Sequence, residues 1–122
     1  MKQSLSKRIG VRSMITNKDA GFHEPESLED MQSFIDKQKP ELFCIYFHAA
    51  WNPVIPKIED EYRQMIKRNG NFTHFKIDTD QHHRLKHYYD CRVEPTFTLY
   101  VNGGEITRMV GYNFNKLEKL MN

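Results

Sequence analysis

The chain has 122 residues, 39% of them apolar and 28% charged, with a net charge of +2 at pH 7. That length suits a single domain with one modest core. The mean hydropathy of -0.74, with no apolar run near the ~20 residues a spanning helix needs, excludes a membrane-spanning helix. The two cysteines supply neither a disulfide framework nor a four-thiolate zinc site.

Taken in chain order, residues 1–26 read as a basic extension. Lys2, Lys7, Arg8, Arg12 and Lys18 stand in the first 18 residues without an acid, a local +5, so the remainder carries a net -3. A mildly acidic remainder lacks the basic face of a dedicated nucleic-acid binder. The tail is basic, serine-bearing and acid-poor, like a mitochondrial targeting segment. It also suits a polar leader that docks on a partner surface, and both readings stand at this point. Alone, such a tail is not expected to be ordered, so a partner is expected to hold it.

Ser27-Leu-Glu-Asp30 is close to a capping box and opens a helix. Leu28, Met31, Phe34 and Ile35 share one face of that helix, and Pro40 stops it. Leu42 to Phe47 is a continuous apolar run, which suits a central strand buried on both faces. A second helix is expected from about Pro56 to Arg68, with Glu59, Asp60 and Glu61 early and Lys67 and Arg68 late, as the helix dipole favours. Its apolar stripe is Ile58, Tyr62, Met65 and Ile66, and Asn69-Gly70 ends it. Phe72 to Asp78 alternates as a strand. Asp80 is expected to cap a short helix bearing Leu85, Tyr88 and Tyr89. Thr96 to Val101, Asn102-Gly103-Gly104 and Glu105 to Val110 form a hairpin. Phe114, Leu117, Leu120 and Met121 mark a closing helix. A βαβ unit followed by a hairpin predicts an α/β fold, with a central mixed four-stranded sheet and helices on both faces.

The chemistry-bearing residues offer little that is assembled. His83 and His87 stand at i, i+4 on the short helix, a spacing at which two imidazoles can share a metal. No base lies between them and no third ligand is near in sequence, so a solvated face is expected and no metal is assigned. Glu59, Asp60 and Glu61 point in different directions on a helix and read as capping and dipole groups rather than a catalytic pair. There is no glycine-rich phosphate loop and no nucleophile elbow, and no cofactor is implied.

Three local sequences in this element order resemble the thioredoxin family: Phe47-His-Ala-Ala-Trp51, Lys76-Ile-Asp-Thr-Asp80, and Val93-Glu-Pro95-Thr-Phe-Thr-Leu-Tyr-Val-Asn-Gly-Gly104. The resemblance covers roughly residues 27–121 and implies a thioredoxin-like domain over 27–122, with a cis Glu94-Pro95 bond. The family's Cys-x-x-Cys motif should follow Trp51, where this chain has Asn52-Pro53-Val54-Ile55. Dithiol exchange needs an attacking thiolate and a resolving thiol, and neither residue 52 nor residue 55 can act as one. Cys44, in the central strand, and Cys91, at an apolar family position, are expected to be core residues. The resemblance also implies a peptide-pairing groove, here formed by Trp51, Pro53, Val54, Ile55, Glu94 and Pro95, which takes an extended chain by strand addition.

The expectation is therefore a redox-inactive, non-enzymatic accessory or scaffold subunit of a large multiprotein assembly, foremost a mitochondrial respiratory-chain complex. Its partners would be other protein subunits, with RNA contact only through the tail. The alternatives are a residual thiol oxidoreductase or isomerase using Cys91 or Cys44, a free peptide-binding module, and a mitochondrial ribosome subunit. A cytoplasmic location is the alternative to the mitochondrion.

Overall fold

The computed structural model describes residues 15–17, 21–50 and 56–122. Among these the elements run β1 (Ile15–Asn17), β2 (Phe22–Glu24), α1 (Leu28–Gln38), β3 (Leu42–His48), α2 (Pro56–Arg68) and β4 (Thr73–Asp78). They continue with α3 (His83–Tyr88), β5 (Thr96–Val101), β6 (Gly104–Val110) and α4 (Phe114–Met121). The strands form one sheet in the order β1-β2-β4-β3-β5-β6. β3 is central: Ile45 faces Phe75 of β4 in a parallel pair and Thr98 of β5 in an antiparallel one. The β5–β6 hairpin is antiparallel, so the sheet is mixed.

The unbroken apolar run of β3 is explained by burial on both faces. Phe43, Ile45 and Phe47 join Met31, Phe75, Ile77 and Leu85 beneath α1 and α3. Cys44 and Tyr46 join Tyr62, Met65, Ile66, Phe97 and Leu117 beneath α2 and α4. Residues one apart on a strand point to opposite faces, so a single strand feeds two cores.

The sheet is wider than the four strands expected. β1 and β2 both lie inside the segment read as an extension, and β2 pairs in parallel with β4 at His23 and Phe75. Three-residue strands are too short to show a period in sequence, and what recruits β2 is packing. Phe22 is 4% exposed and its ring lies 5.8 Å from that of Tyr62, while the His23 ring packs on Phe34 and Phe75. Gly21, at φ +81, allows the approach. A Cβ there would stand 2.8 Å from Ile66 Cγ2.

Local signals set the helix ends. The Ser27 hydroxyl accepts from the Asp30 amide at 2.9 Å, and the Asp30 carboxylate accepts from the Glu26 amide at 2.9 Å. α1 ends on Lys39 in the left-handed conformation, φ 44, ahead of Pro40. Asp80 does not cap α3. Asp78 accepts from the Asp80 amide instead, and His82 occupies the cap position with no side-chain hydrogen bond. In the hairpin, Asn102 and Gly103 both have positive φ, as an Asn-Gly turn between twisted strands requires. On α4, Leu120 is 40% exposed and lies outside the core, unlike Phe114, Leu117 and Met121.

Candidate functional site

The sheet brings two loops together at one end. Thr96, the first residue of β5, stands opposite Phe47 near the end of β3. The Thr79 amide and hydroxyl both donate to the His48 carbonyl, at 2.8 and 3.1 Å. The segment entering β5 therefore lies beside the exit of β3. Glu94-Pro95 is cis, and Gly111 N–H donates to the Pro95 carbonyl at 3.0 Å. The Thr96 hydroxyl donates to the Val93 carbonyl at 2.6 Å and folds the segment back on itself. Val93 is 46% exposed, and Glu94 and Pro95 are half-buried, so the corner is open to solvent.

Cys91 sits under this corner. Its Sγ lies 3.4 Å from the Val93 carbonyl and 4.0 Å from Glu94 Oε2. Burial pushes its thiol pKa up, and the Glu94 carboxylate adds to the shift. Burial also pushes the Glu94 carboxyl up, but the Lys86 ammonium at 2.8 Å and the Thr79 hydroxyl outweigh it and hold that pKa below the ordinary value. Cys44 is a different case. It is 1% exposed and burial pushes its pKa up to about 12, so it behaves as a small core hydrophobe. The two cysteines belong to cores on opposite faces of the sheet, so they cannot close a disulfide with one another.

A second polar group underlies the start of α2. Lys76 Nζ is 3.5 Å from Glu59 Oε1 and stands over the rings of Phe22 and Tyr46, at 5.3 and 6.0 Å. From the sequence Glu59 reads as a capping and dipole group; the fold gives it Lys76 as a partner. His48, at the end of β3, has its pKa lowered by burial and then by Lys76. The hydroxyls of Tyr46 and Tyr112 meet at 3.2 Å, across 66 positions of sequence. These pairings join distant segments and carry no local signature.

Of the residues singled out in the sequence, Glu94 and Pro95 lie together at the open corner. Trp51, Asn52, Pro53, Val54 and Ile55 lie outside the described residues, as do Lys2, Lys7, Arg8, Arg12 and Lys18 of the tail. His83 and His87 are exposed on α3. Cys91 is 4% exposed and thus buried as expected, but directly beneath the corner.

Residues 24–122 match the thioredoxin family model. Thioredoxin H2-2 of Oryza sativa subsp. japonica is 32% identical over 94 residues, 76% of this chain and 70% of its own length. Thioredoxin H5 of Arabidopsis thaliana is 32% identical over 85 residues, 69% of this chain and 72% of its own length. Among solved structures, a thioredoxin of Nicotiana alata superposes with a TM-score of 0.72 at 25% identity, over 80% of this chain and 87% of that one. Mitochondrial thioredoxin 3 of Saccharomyces cerevisiae superposes at 0.73 over 86% of this chain and 97% of that one. At 20% identity that likeness shows the fold alone.

These relatives overturn the expected role. Proteins named as thioredoxins are thiol oxidoreductases, and such relatives, at about 30% identity over most of the chain, contradict the reading as a non-enzymatic subunit of a respiratory-chain complex. That reading rested on the absent cysteines at 52 and 55, the intact fold and the basic tail, and it took the missing dithiol for a missing chemistry. A family model spanning residues 24–122, and a relative 32% identical over 70% of its own length, lead to one conclusion: the chain belongs to the thioredoxin family.

Proposed function

We propose that the protein is a thioredoxin-type thiol oxidoreductase or isomerase that works through one thiol, Cys91, on a polypeptide lying along the open corner at Val93, Glu94 and Pro95. The observation that carries this reading is the position of Cys91. It is the one described cysteine that borders the corner, with Sγ 3.4 Å from the Val93 carbonyl. Cys44, sealed in the opposite core, has no route to a substrate.

The chemistry of a single thiol is defined. The Cys91 thiol loses its proton to solvent base, and the thiolate attacks one sulfur of a substrate disulfide. The old S–S bond breaks, the other substrate sulfur leaves as a thiolate, and a mixed disulfide with Cys91 forms. The chain has no second cysteine in reach to resolve it. Either the departing substrate thiolate attacks back at a different sulfur, which is isomerisation, or an external small thiol attacks the mixed disulfide. In the second case reduced small thiol supplies the electrons. Burial keeps Cys91 protonated at neutral pH, so turnover is slow there and rises as alkaline pH populates the thiolate.

Reduction of insulin disulfides by glutathione tests this, with wild type, Cys91→Ser and Cys44→Ser compared at pH 7 and pH 9. The expected result is acceleration over glutathione alone by wild type and Cys44→Ser, larger at pH 9, and none by Cys91→Ser. Wild type no faster than glutathione alone, or full activity in Cys91→Ser, overturns the proposal.

A further inference from the structure

α3 is held by one buried anchor and turns the rest of its surface to water. Leu85 is 1% exposed and joins Met31 and Phe47 in the core. Positions 83 and 87 stand two residues before and after it. At about 100° per residue each lies roughly 200° round the helix from Leu85, so both point away from the core, only about 40° apart. The turn between them is α-helical: the Lys86 amide donates to the His82 carbonyl at 3.0 Å, and the Tyr89 amide to the Leu85 carbonyl at 3.1 Å. Cβ atoms at this spacing are about 5–6 Å apart, a separation that two imidazoles span when they share one metal ion.

The surroundings suit such an ion. His83 and His87 are both exposed. They border the same two hollows, one of about 310 Å³ with Leu28 and Tyr88 and one of about 400 Å³ with Lys86 and Asp90. The pair therefore forms the ridge between them. Among the described residues neither imidazole has a hydrogen-bond partner, so both rings can turn towards a shared ion. The flanking cations are already matched. Arg84 pairs with Glu29 at 2.8 Å, Lys86 with Glu94 at 2.8 Å and Arg92 with Asp90 at 2.9 Å. Among the described residues no group of three or more His, Cys, Asp or Glu is placed to hold a metal. That rules out a closed structural zinc site there and leaves an open one, two nitrogens with water in the remaining positions.

We propose that His83 and His87 together chelate one imidazole-preferring divalent transition-metal ion, of the Ni²⁺ and Cu²⁺ kind, on the outer face of α3. Imidazole suits these ions, whereas Mg²⁺ and Ca²⁺ take oxygen ligands. The spacing alone left a solvated face as the expectation. The fold adds that both rings face one way, without partners, among neutralised charges. The site does not rest on the proposed thiol chemistry: the Cys91 thiol is buried and lies against the Val93 carbonyl and Glu94 instead.

The probe is Ni²⁺, since Cu²⁺ oxidises thiols. It is titrated into untagged, isotope-labelled protein while the amide resonances are followed by NMR, where the paramagnetic ion broadens the signals nearest to it. The resonances of α3 are expected to broaden first, and a large excess of Mg²⁺ is expected not to displace the ion. His83→Asn and His87→Asn should each weaken binding by about tenfold or more, because losing one arm of a chelate forfeits the effective concentration of the other. His82→Asn, whose side chain makes no capping hydrogen bond, and Cys91→Ser should bind as wild type does. Broadening centred away from α3, or single-histidine variants within twofold of wild type, would mean an adventitious ion only and overturns the proposal. An equal loss in His82→Asn or in Cys91→Ser overturns it as well.

Discussion

Asn69, in the turn after α2, offers a quantitative test of what locks α2 to α4. It is 3% exposed. Its side-chain amide donates to the Met65 carbonyl at 2.9 Å and to Glu118 Oε2 at 3.0 Å, while its backbone carbonyl pairs with His74 Nε2 at 2.9 Å. Asn69→Ala removes the first two bonds and keeps the third. Neither orphaned acceptor is left empty: Met65 O still accepts from the Asn69 amide, and Glu118 Oε2 still accepts from Arg68 Nε. The cost is then one neutral and one charge-assisted hydrogen bond, about 2 kcal/mol. For a chain of this size that lowers Tm by about 8 °C. Asn69→Asp keeps the shape but sets a second carboxylate against Glu118. Repulsion raises the pKa of at least one carboxyl in the folded state, so the penalty is full only above that raised pKa and is relieved as pH falls through it towards the ordinary carboxylate value near 4. Urea unfolding followed by far-UV circular dichroism at pH 7 and pH 4.5 measures both. An Asp variant as stable as the Ala variant at pH 7, or a deficit that does not shrink at pH 4.5, would refute this account of the α2–α4 contact.

Two further outcomes are expected. His74 is buried with its pKa lowered, chiefly by burial, so the unfolded chain takes up a proton more readily below the ordinary histidine value near 6.5. Stability should therefore be full above pH 7 and decline as pH falls below about 6.5, with a shallower decline in His74→Leu, read from urea midpoints between pH 7.5 and 5. Thiol titration of the native protein with a disulfide reagent at pH 8 should modify Cys91 well before Cys44, whose pKa stands at about 12, and denaturant should release both at once. Equal rates for the two in the native state would contradict the placement of Cys44 in a sealed core.

Local order was legible wherever the signal repeats along the chain. The stripe Ile58, Tyr62, Met65, Ile66 fixed α2, and all but the partly buried Ile58 are buried. The Asn-Gly turn fixed the β5–β6 hairpin because only that backbone demands two positive φ values in succession. Asp80 misled because an acidic residue ahead of a helical run usually caps it. Here the Asp78 side chain and carbonyl had already claimed the amides of residues 80 to 82. β1 and β2 were missed because three residues show no period.

The amino-acid order alone determined the family resemblance, the central position of β3 and the lack of a dithiol at 52–55, since each is written in contiguous residues. Only the folded chain decided which cysteine borders an opening and that Glu59 serves Lys76. Those are properties of atoms brought together from distant parts of the chain by the packing of helices on a sheet. A one-dimensional pattern records which faces are apolar, not which neighbours they meet.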